Sequence, residues 1–419
     1  MTVAPMTPDD NQSRPALAED EPGIARAIID YRSKDVEIGG TASALQVHRH
    51  LPALDGLRGI AIVLVLLRHF TPLGVASSFV GGVGKAVASV GGVGVDLFFV
   101  LSGFLITGIL LDAKGTPHFF RNFYARRTLR IFPLYYGVLF VCFVIVPLFH
   151  PFSAAEQKVA HEQGWLWLYG TNIREGMHGV EYPFTGGWLA MDHFWSLAVE
   201  EHFYLVWPLA VFLLSRRAMI AACAVAIGGA LAIRLWLHLI NDRSMAYFHW
   251  TPCRMDALAL GGLVALVARS PSGAAWLPKV AVGVLPAALV ATAASWRTDW
   301  GEYVFRGSLL GLMFAALLVL VVSAAARNPL SIVCRARPMR LMGKYSYAIY
   351  VLHPLLMTTV LQYVAYPKLV ARMHSGVAGV SAFLVIAFAV SIGAAWLSWH
   401  LYEKHFLRLK RYFEYRARS

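Results

Sequence analysis

The residues best suited to chemistry lie in an apolar stretch, Leu54 to Phe70, which carries Arg58 near its start and His69 near its end. In an α-helix, at about 100° and 1.5 Å per residue, this spacing puts both side chains on one face, about 16 Å apart. If Arg58 lies at a membrane surface, His69 lies near the middle of the bilayer, where an ionisable group is costly and indicates function. A core histidine whose ring is satisfied by a neighbouring helix is the alternative.

A cationic motif precedes the third apolar run. Arg127 and Arg130 are three residues apart and therefore share a helical face. A guanidinium fork matches phosphate oxygens, so this face suits a phosphorylated ligand that arrives from the cytoplasm. Ordinary positive-inside anchoring is the alternative, and it suffices for Arg121 and Arg126.

A further stretch, His193 to Pro208, enters an apolar run with two ionisable groups seven residues apart, His193 and Glu200, which lie close to one helical face. An acidic group at this depth is rare, so Glu200 is a second catalytic candidate. The other candidates for an acceptor site or polar cavity are polar residues in or beside apolar runs: Asp96, Ser102, Arg254, Asp256, Tyr350 and His353. For Ser102, Tyr350 and His353 a role in helix packing is the alternative.

The elements that must position these residues are membrane helices. The chain has 419 residues, of which 58% are hydrophobic and only 15% are charged, as expected for a polytopic membrane protein. The sequence predicts an all-α helical bundle with about ten transmembrane helices, at 57–75, 91–111, 131–150, 194–214, 218–240, 256–269, 279–296, 304–325, 345–366 and 377–401.

Charge placement predicts orientation and flanking segments. Basic residues concentrate in the loops that face the cytoplasm if both termini are cytoplasmic. The net charge of +13 therefore reflects topology and a bilayer partner, and it requires no nucleic acid. Residues 1–50 are predicted to be a disordered cytoplasmic tail, and 404–419 a basic cytoplasmic tail suited to an anionic inner leaflet. No His-Glu-x-x-His or comparable cluster is present, so no metal site is expected.

Taken together, the motifs resemble the acyltransferase 3 family of bacterial integral-membrane O-acyltransferases. The resemblance depends on an Arg and a His separated by ten residues in the first span, an Arg-x-x-Arg before the third, and a Trp-Ser-Leu-x-x-Glu-Glu block. It covers nearly the whole chain after residue 50, in the blocks Leu54–His69, Gly94–Ile106, Phe123–Tyr135, Phe194–Pro208, Arg254–Gly261 and Gly343–His353. Residues 51–403 are accordingly interpreted as the transmembrane acyltransferase domain.

The resemblance implies transfer of an acetyl or other short acyl group from acyl-CoA, with acetyl-CoA as the expected donor, to a hydroxyl of an envelope glycan. The glycan would be envelope polysaccharide, lipopolysaccharide or a related glycan, and the enzyme would lie in the bacterial inner (cytoplasmic) membrane. Tailoring of a secondary metabolite is the alternative acceptor class, and a sugar-lipid transporter or flippase the alternative function. Acyl-CoA is expected as a substrate, with no permanently bound cofactor.

The physical interpretation of the residues agrees with this family. Arg127 and Arg130, with Arg58, would bind the donor phosphates. His69 is expected to be reached through this arginine-lined entrance and to share a water-accessible cavity with the acceptor. His69 would act as a base on the acceptor hydroxyl or would itself be acylated. Glu200 would orient His69 or the acceptor.

Overall fold

A computed structural model describes residues 51–70, 91–177, 183–242, 244–323, 328–357, 366–373 and 375–415. Nearly all of this part of the chain is helical, and its strands form one short antiparallel hairpin, Thr185–Gly186 with Leu189–Ala190. The tail predicted for residues 1–50 lies outside the described residues.

The helices follow one another with short connections. In chain order they are α1 Pro52–Phe70, α2 Gly94–Ala113, α3 Phe119–Phe140, α4 Val146–Phe149, α5 Ala154–His161, α6 Gln163–Trp167, α7 Thr171–Met177, α8 Phe194–Leu213, α9 Arg216–Leu239, α10 Ala246–His249, α11 Thr251–Ala268, α12 Pro271–Ser295, α13 Arg306–Val322, α14 Pro329–Arg335, α15 Arg337–Met357, α16 Tyr366–Met373, α17 Gly376–Ser398 and α18 Lys404–Arg408. Single π-helical turns at Val141–Ile145, Gly301–Phe305 and Trp399–Glu403 join α3 to α4, precede α13, and join α17 to α18. A 3₁₀ turn, Leu409–Tyr412, follows α18.

The predicted multi-pass membrane bundle is confirmed. Within the described residues, 8 helical segments are long and apolar enough to cross a membrane. The first and ninth predicted spans are α1 and α15, which are also helices but carry charged residues such as Arg58 and Lys344. Large apolar side chains face outward along several spans, for example Val225 at 73% exposure and Val290 at 70%. Such exposure is expected when lipid is the solvent of those faces.

Two helix pairs form the centre of the bundle, α1 with α15 and α2 with α11. Each pair approaches closely at a glycine. A Cβ at Gly103 would lie 1.9 Å from the carbonyl oxygen of Leu258, and one at Gly343 would lie 1.8 Å from that of Asp55. Small residues let membrane helices pack backbone to backbone, as the Ser102-Gly103 pair predicts.

In its described residues, the segment between α4 and α8 contains only short elements. Three short helices, α5 to α7, and the hairpin occupy it. Ser153 and Glu156 form a capping box at the start of α5, which satisfies free backbone N–H groups there. In this segment, α7 packs against α8, which His193 immediately precedes.

Candidate functional site

A cavity of about 550 Å³ lies between α2, α3, α8, α15 and the C-terminal residues. It has a polar and aromatic wall, made by Arg58, Phe98, Phe99, Ser102, Phe123, Arg126, Arg127, Arg130, Ser196, Glu200, Glu201, Tyr204, Ser346, Tyr347, Tyr350, Trp399, Lys410 and Tyr415, and an apolar part made by Val95, Ile109, Ile131, Leu197 and Leu407. Its volume lies within the range of small-molecule and cofactor sites.

The structure brings the three predicted donor-binding arginines to this one cavity. Arg58 pairs with Asp55 at 3.1 Å, and Arg130 lies 4.0 Å from the Glu403 carboxylate. Arg127 rests against the ring of Tyr204, 5.5 Å from its centroid, and has no carboxylate partner in the part of the chain that is described. The cavity therefore contains guanidinium groups whose charge is only partly compensated, which favours an anionic ligand.

Glu200 lines the same cavity, and it is held by two hydroxyl groups. Ser102 donates to its Oε1 at 2.6 Å and Tyr204 donates to its Oε2 at 3.1 Å. The predicted pairing of Glu200 with His69 is not formed, because both carboxylate oxygens are engaged by α2 and α8 hydroxyls instead. Ser102 is thus a partner of Glu200, and Tyr204 is a site residue that the sequence analysis missed.

Three histidines meet at the Tyr350 end of the cavity. His69 of α1, His193 at the start of α8 and His353 of α15 pack ring against ring, with centroids 4.9 Å apart for His69 and His353 and 5.3 Å apart for His193 and His353. His69 Nδ1 lies 3.2 Å from His353 Nε2. The sequence places these residues in three separate spans, and their juxtaposition is a tertiary feature.

The hydrogen bonds of this cluster fix the ring protons of two neutral histidines. Pro354 has no N–H, so it cannot donate to the carbonyl of Tyr350 as a helical residue normally would. His353 Nδ1 lies 2.9 Å from that carbonyl oxygen and 3.0 Å from the carbonyl of Ile349. A carbonyl only accepts, so His353 Nδ1 carries the proton and its Nε2 is an acceptor.

The same reasoning assigns the proton of His69. Its Nδ1 faces two acceptors, the carbonyl of Val65 at 2.9 Å and His353 Nε2. Nδ1 of His69 must therefore be the protonated nitrogen, and its Nε2 keeps the lone pair in the neutral ring. A lone pair on Nε2 is what a general base or a nucleophile requires.

His69 is expected from the sequence to be reached through the arginine-lined entrance, but it does not line the arginine-containing cavity. Tyr350 and Ser196 close the cavity on this side. The Tyr350 hydroxyl donates to the carbonyl of His193 at 2.9 Å and is also hydrogen-bonded to Ser196. His69 lies beyond this layer, connected to it through His353.

Three further candidates belong to buried ion pairs away from the main cavity. Arg254 pairs with Asp96, and Asp256 pairs with Arg234 at 2.7 Å. Asp96 and Arg254 border a small cavity of about 20 Å³, too small for a substrate. Asp96, Arg254 and Asp256 do not line the main cavity, and each is neutralised by a partner on a neighbouring helix. Their role towards an acceptor stays a prediction.

The structure adds residues that the sequence did not single out as site residues. Arg126, Ser196, Tyr204 and Lys410 line the main cavity. Arg126 directly precedes Arg127, and Ser196 and Tyr204 lie one helical turn before and after Glu200. Helix periodicity around the predicted site residues could therefore have indicated Ser196 and Tyr204. Within the described ranges, no group of three or more His, Cys, Asp or Glu side chains is arranged to hold a metal ion.

These features define a polytopic helical membrane protein with a cationic cavity next to a histidine cluster. The sequence profile described as an acyltransferase domain matches residues 51–400, so the chain belongs to the acyltransferase 3 family. The family predicted from the sequence motifs is confirmed. The fold has no significant match among solved structures.

Three curated relatives are similar over most of this chain. YrhL of Bacillus subtilis (strain 168), assigned by name to the peptidoglycan O-acetyltransferases, is 28% identical over 391 residues, 86% of this chain and 55% of its own length. The peptidoglycan O-acetyltransferase OatA of Listeria monocytogenes is 29% identical, over 73% of this chain and 49% of its own. The O-acetyltransferase OatA of Staphylococcus aureus (strain NCTC 8325 / PS 47) is 26% identical, over 73% and 50%. The chain thus spans about half the length of these relatives.

Proposed function

We propose that this chain is an acyl-CoA-dependent O-acyltransferase of the bacterial cytoplasmic membrane, which transfers an acetyl or other short acyl group to a hydroxyl of an envelope glycan. The observation that carries the proposal is the single cavity that joins Arg58, Arg127 and Arg130 to the Tyr350 wall of the histidine cluster. The names of the relatives, which are O-acetyltransferases and in two cases act on peptidoglycan by name, support an acetyl group and a glycan acceptor.

The donor occupies the main cavity in this proposal. Coenzyme A is a polyanion at its nucleotide end and a thioester at the end of a long, uncharged pantetheine arm. Guanidinium groups bind the phosphates, since a planar fork matches two phosphate oxygens. The arm then extends along the wall of α8 and α15 towards Ser196 and Tyr350, which places the thioester next to the histidine cluster.

His69 supplies the base. Its Nε2 lone pair takes the proton of the acceptor hydroxyl while that oxygen attacks the thioester carbonyl carbon. The C–S bond then breaks, and the departing thiolate receives the proton from the imidazolium. In a second route Nε2 itself attacks the carbonyl carbon, and the C–S bond breaks. The departing thiolate takes the ring proton of the acyl-imidazolium, and the neutral acyl-imidazole then passes its acyl group to the acceptor hydroxyl, whose proton returns to the imidazole. Either route requires the acyl group to pass the layer formed by Tyr350 and Ser196.

The assay uses the purified full chain in proteoliposomes with acetyl-CoA and a peptidoglycan fragment, and it follows thiol release together with the acetyl mass on the glycan. His69→Ala is expected to lower kcat by about 10²-fold or more, the usual contribution of a positioned general base. His161→Ala, at an exposed position of α5, is the matched control. Retained transfer by the His69→Ala variant would reject the catalytic assignment.

A second variant tests the donor site. Arg130→Ala is expected to raise the KM for acetyl-CoA by roughly tenfold or more, because a hydrogen bond between charged groups contributes about 1.5–3 kcal/mol. Arg217→Ala, exposed at the start of α9, is its control. An unchanged KM would contradict the phosphate role. Movement of a labelled sugar-lipid across the bilayer without acyl-CoA would instead favour a flippase.

A further inference from the structure

The C-terminal segment, residues 399–415, folds back along α3 over the cationic end of the main cavity. Tyr402 donates to the carbonyl of Pro133 at 3.1 Å. Two α3 side chains hold its far end, since Arg126 donates to the carbonyl of Lys410 at 3.3 Å and Asn122 to that of Glu414 at 3.0 Å. These bonds fix the backbone of the segment against the bundle.

The segment forms part of the cavity wall. Trp399, Leu407, Lys410 and Tyr415 all line the cavity. Most of this stretch lies beyond residue 400, where the match to the acyltransferase family ends. If the basic residues of this tail only contacted an anionic leaflet, the tail would not form part of the cavity wall. Its position in that wall therefore indicates a second role.

The charges around the cavity favour a further anion. The cavity is lined by five cationic side chains, Arg58, Arg126, Arg127, Arg130 and Lys410, and by the two carboxylates of Glu200 and Glu201. Even with the carboxylates of Asp55 and Glu403, which pair with Arg58 and Arg130, the cations outnumber the anions. Lys410 has no carboxylate within ion-pair distance among the residues that the structure describes. Lys410 is half-buried and borders the cavity, whereas Arg408, two residues earlier, is exposed. An uncompensated cation in a confined site is stabilised when a multiply charged anion binds.

We propose that Lys410 is a donor-binding residue, and that the C-terminal segment completes the site that receives the phosphates of coenzyme A. The inference rests on the proposed function, because that function supplies the polyanionic donor. In this arrangement the guanidinium groups of α1 and α3 bind the phosphates from one side, and the Lys410 ammonium binds them from the other.

Binding of coenzyme A to the full chain in nanodiscs of neutral phosphatidylcholine tests this inference, since that bilayer carries no anionic lipid. Lys410→Gln is expected to raise the Kd by about fivefold or more, below the full effect of a buried charged hydrogen bond because the side chain is partly exposed. Lys410→Arg should restore affinity to within about twofold of the wild type, and Arg408→Gln should leave it unchanged. The melting temperature of each variant serves as the check on folding.

The outcomes separate the two proposals. Wild-type protein that binds coenzyme A, with equal Kd values for Lys410→Gln and Arg408→Gln, would overturn the role of Lys410 and leave the acyltransferase proposal standing. An effect of Lys410→Gln only on retention by vesicles that contain phosphatidylglycerol would also overturn it, in favour of lipid anchoring. Wild-type protein that does not bind coenzyme A would overturn both.

Discussion

The proton arrangement of the histidine cluster predicts a graded effect of substituting His353. An asparagine at this position keeps a donor where Nδ1 of His353 now bonds the Tyr350 carbonyl, but it removes the Nε2 acceptor that faces His69. His69 then retains one acceptor for its Nδ1–H, the Val65 carbonyl at 2.9 Å. A neutral hydrogen bond contributes about 0.5–1.5 kcal/mol, so His353→Asn should lower kcat by about 2- to 12-fold.

This loss is far smaller than the loss expected for His69→Ala, and the difference identifies the role of His353. His353→Gln places an amide group near the former Nε2 position and should recover part of the activity that His353→Asn loses. The measurement is kcat for acetyl transfer at saturating donor, with melting temperatures as the control for folding. A loss as large as that of His69→Ala would refute the orienting role, since His353 would then take part in the transfer itself. Unchanged kcat in His353→Asn would refute the argument that His353 contributes to the tautomer of His69.

Two further predictions concern stability. Asp256→Asn should lower the free energy of unfolding by about 3 kcal/mol, because it leaves the fully buried Arg234 without its carboxylate. Glu302→Gln, at the partly exposed pair with Arg306, should change it by less than about 1 kcal/mol. Thermal unfolding in detergent measures both, and equal effects would contradict the burial argument. Burial raises the pKa of Asp192, which lies before α8, from 3.8 to about 7, so the folded chain holds a proton that the unfolded chain has released, and stability should fall as the pH rises from about 4 to about 7. Asp192→Asn should flatten this fall and the exposed Asp299→Asn should not; a slope that is the same in all three proteins would show that Asp192 does not titrate in this range.

The helical bundle could be predicted because most spans contact lipid and are therefore long apolar runs with high hydropathy. Two predicted spans, α1 and α15, are not among the 8 described helical segments that are long and apolar enough to cross a membrane, and both carry residues of the candidate site. Arg58, His69, Tyr350 and His353 lie on them, and their polarity lowers the hydropathy that a span prediction requires. The polar residues of the candidate site therefore weaken the hydropathy signal of the helices that carry them.

The arginines of the proposed donor site could also be predicted from the sequence, because their spacing within one helix is sufficient to bring them together. Arg127 and Arg130 share one helix face, and helix periodicity alone places them together. The partners of the acidic residues were not accessible in this way. Glu200 is bound by Ser102 of α2, and Asp256 by Arg234 of α9, through contacts 98 and 22 residues apart in sequence. Nothing in local spacing selects such a partner among many polar residues.

The position of His69 behind Tyr350 follows from the geometry of α15. Ser346 and Tyr350 line the cavity, and His353, on the same stripe, meets His69. Seven residues along a helix span about 10 Å, so one stripe connects the cationic cavity to the base. In the proposed function, a donor whose phosphates bind Arg127 and Arg130 crosses this distance with a long flexible arm, which pantetheine provides. The Tyr350 layer then separates water in the cavity from the reacting nitrogen, which would protect a thioester from hydrolysis until the acceptor hydroxyl is present.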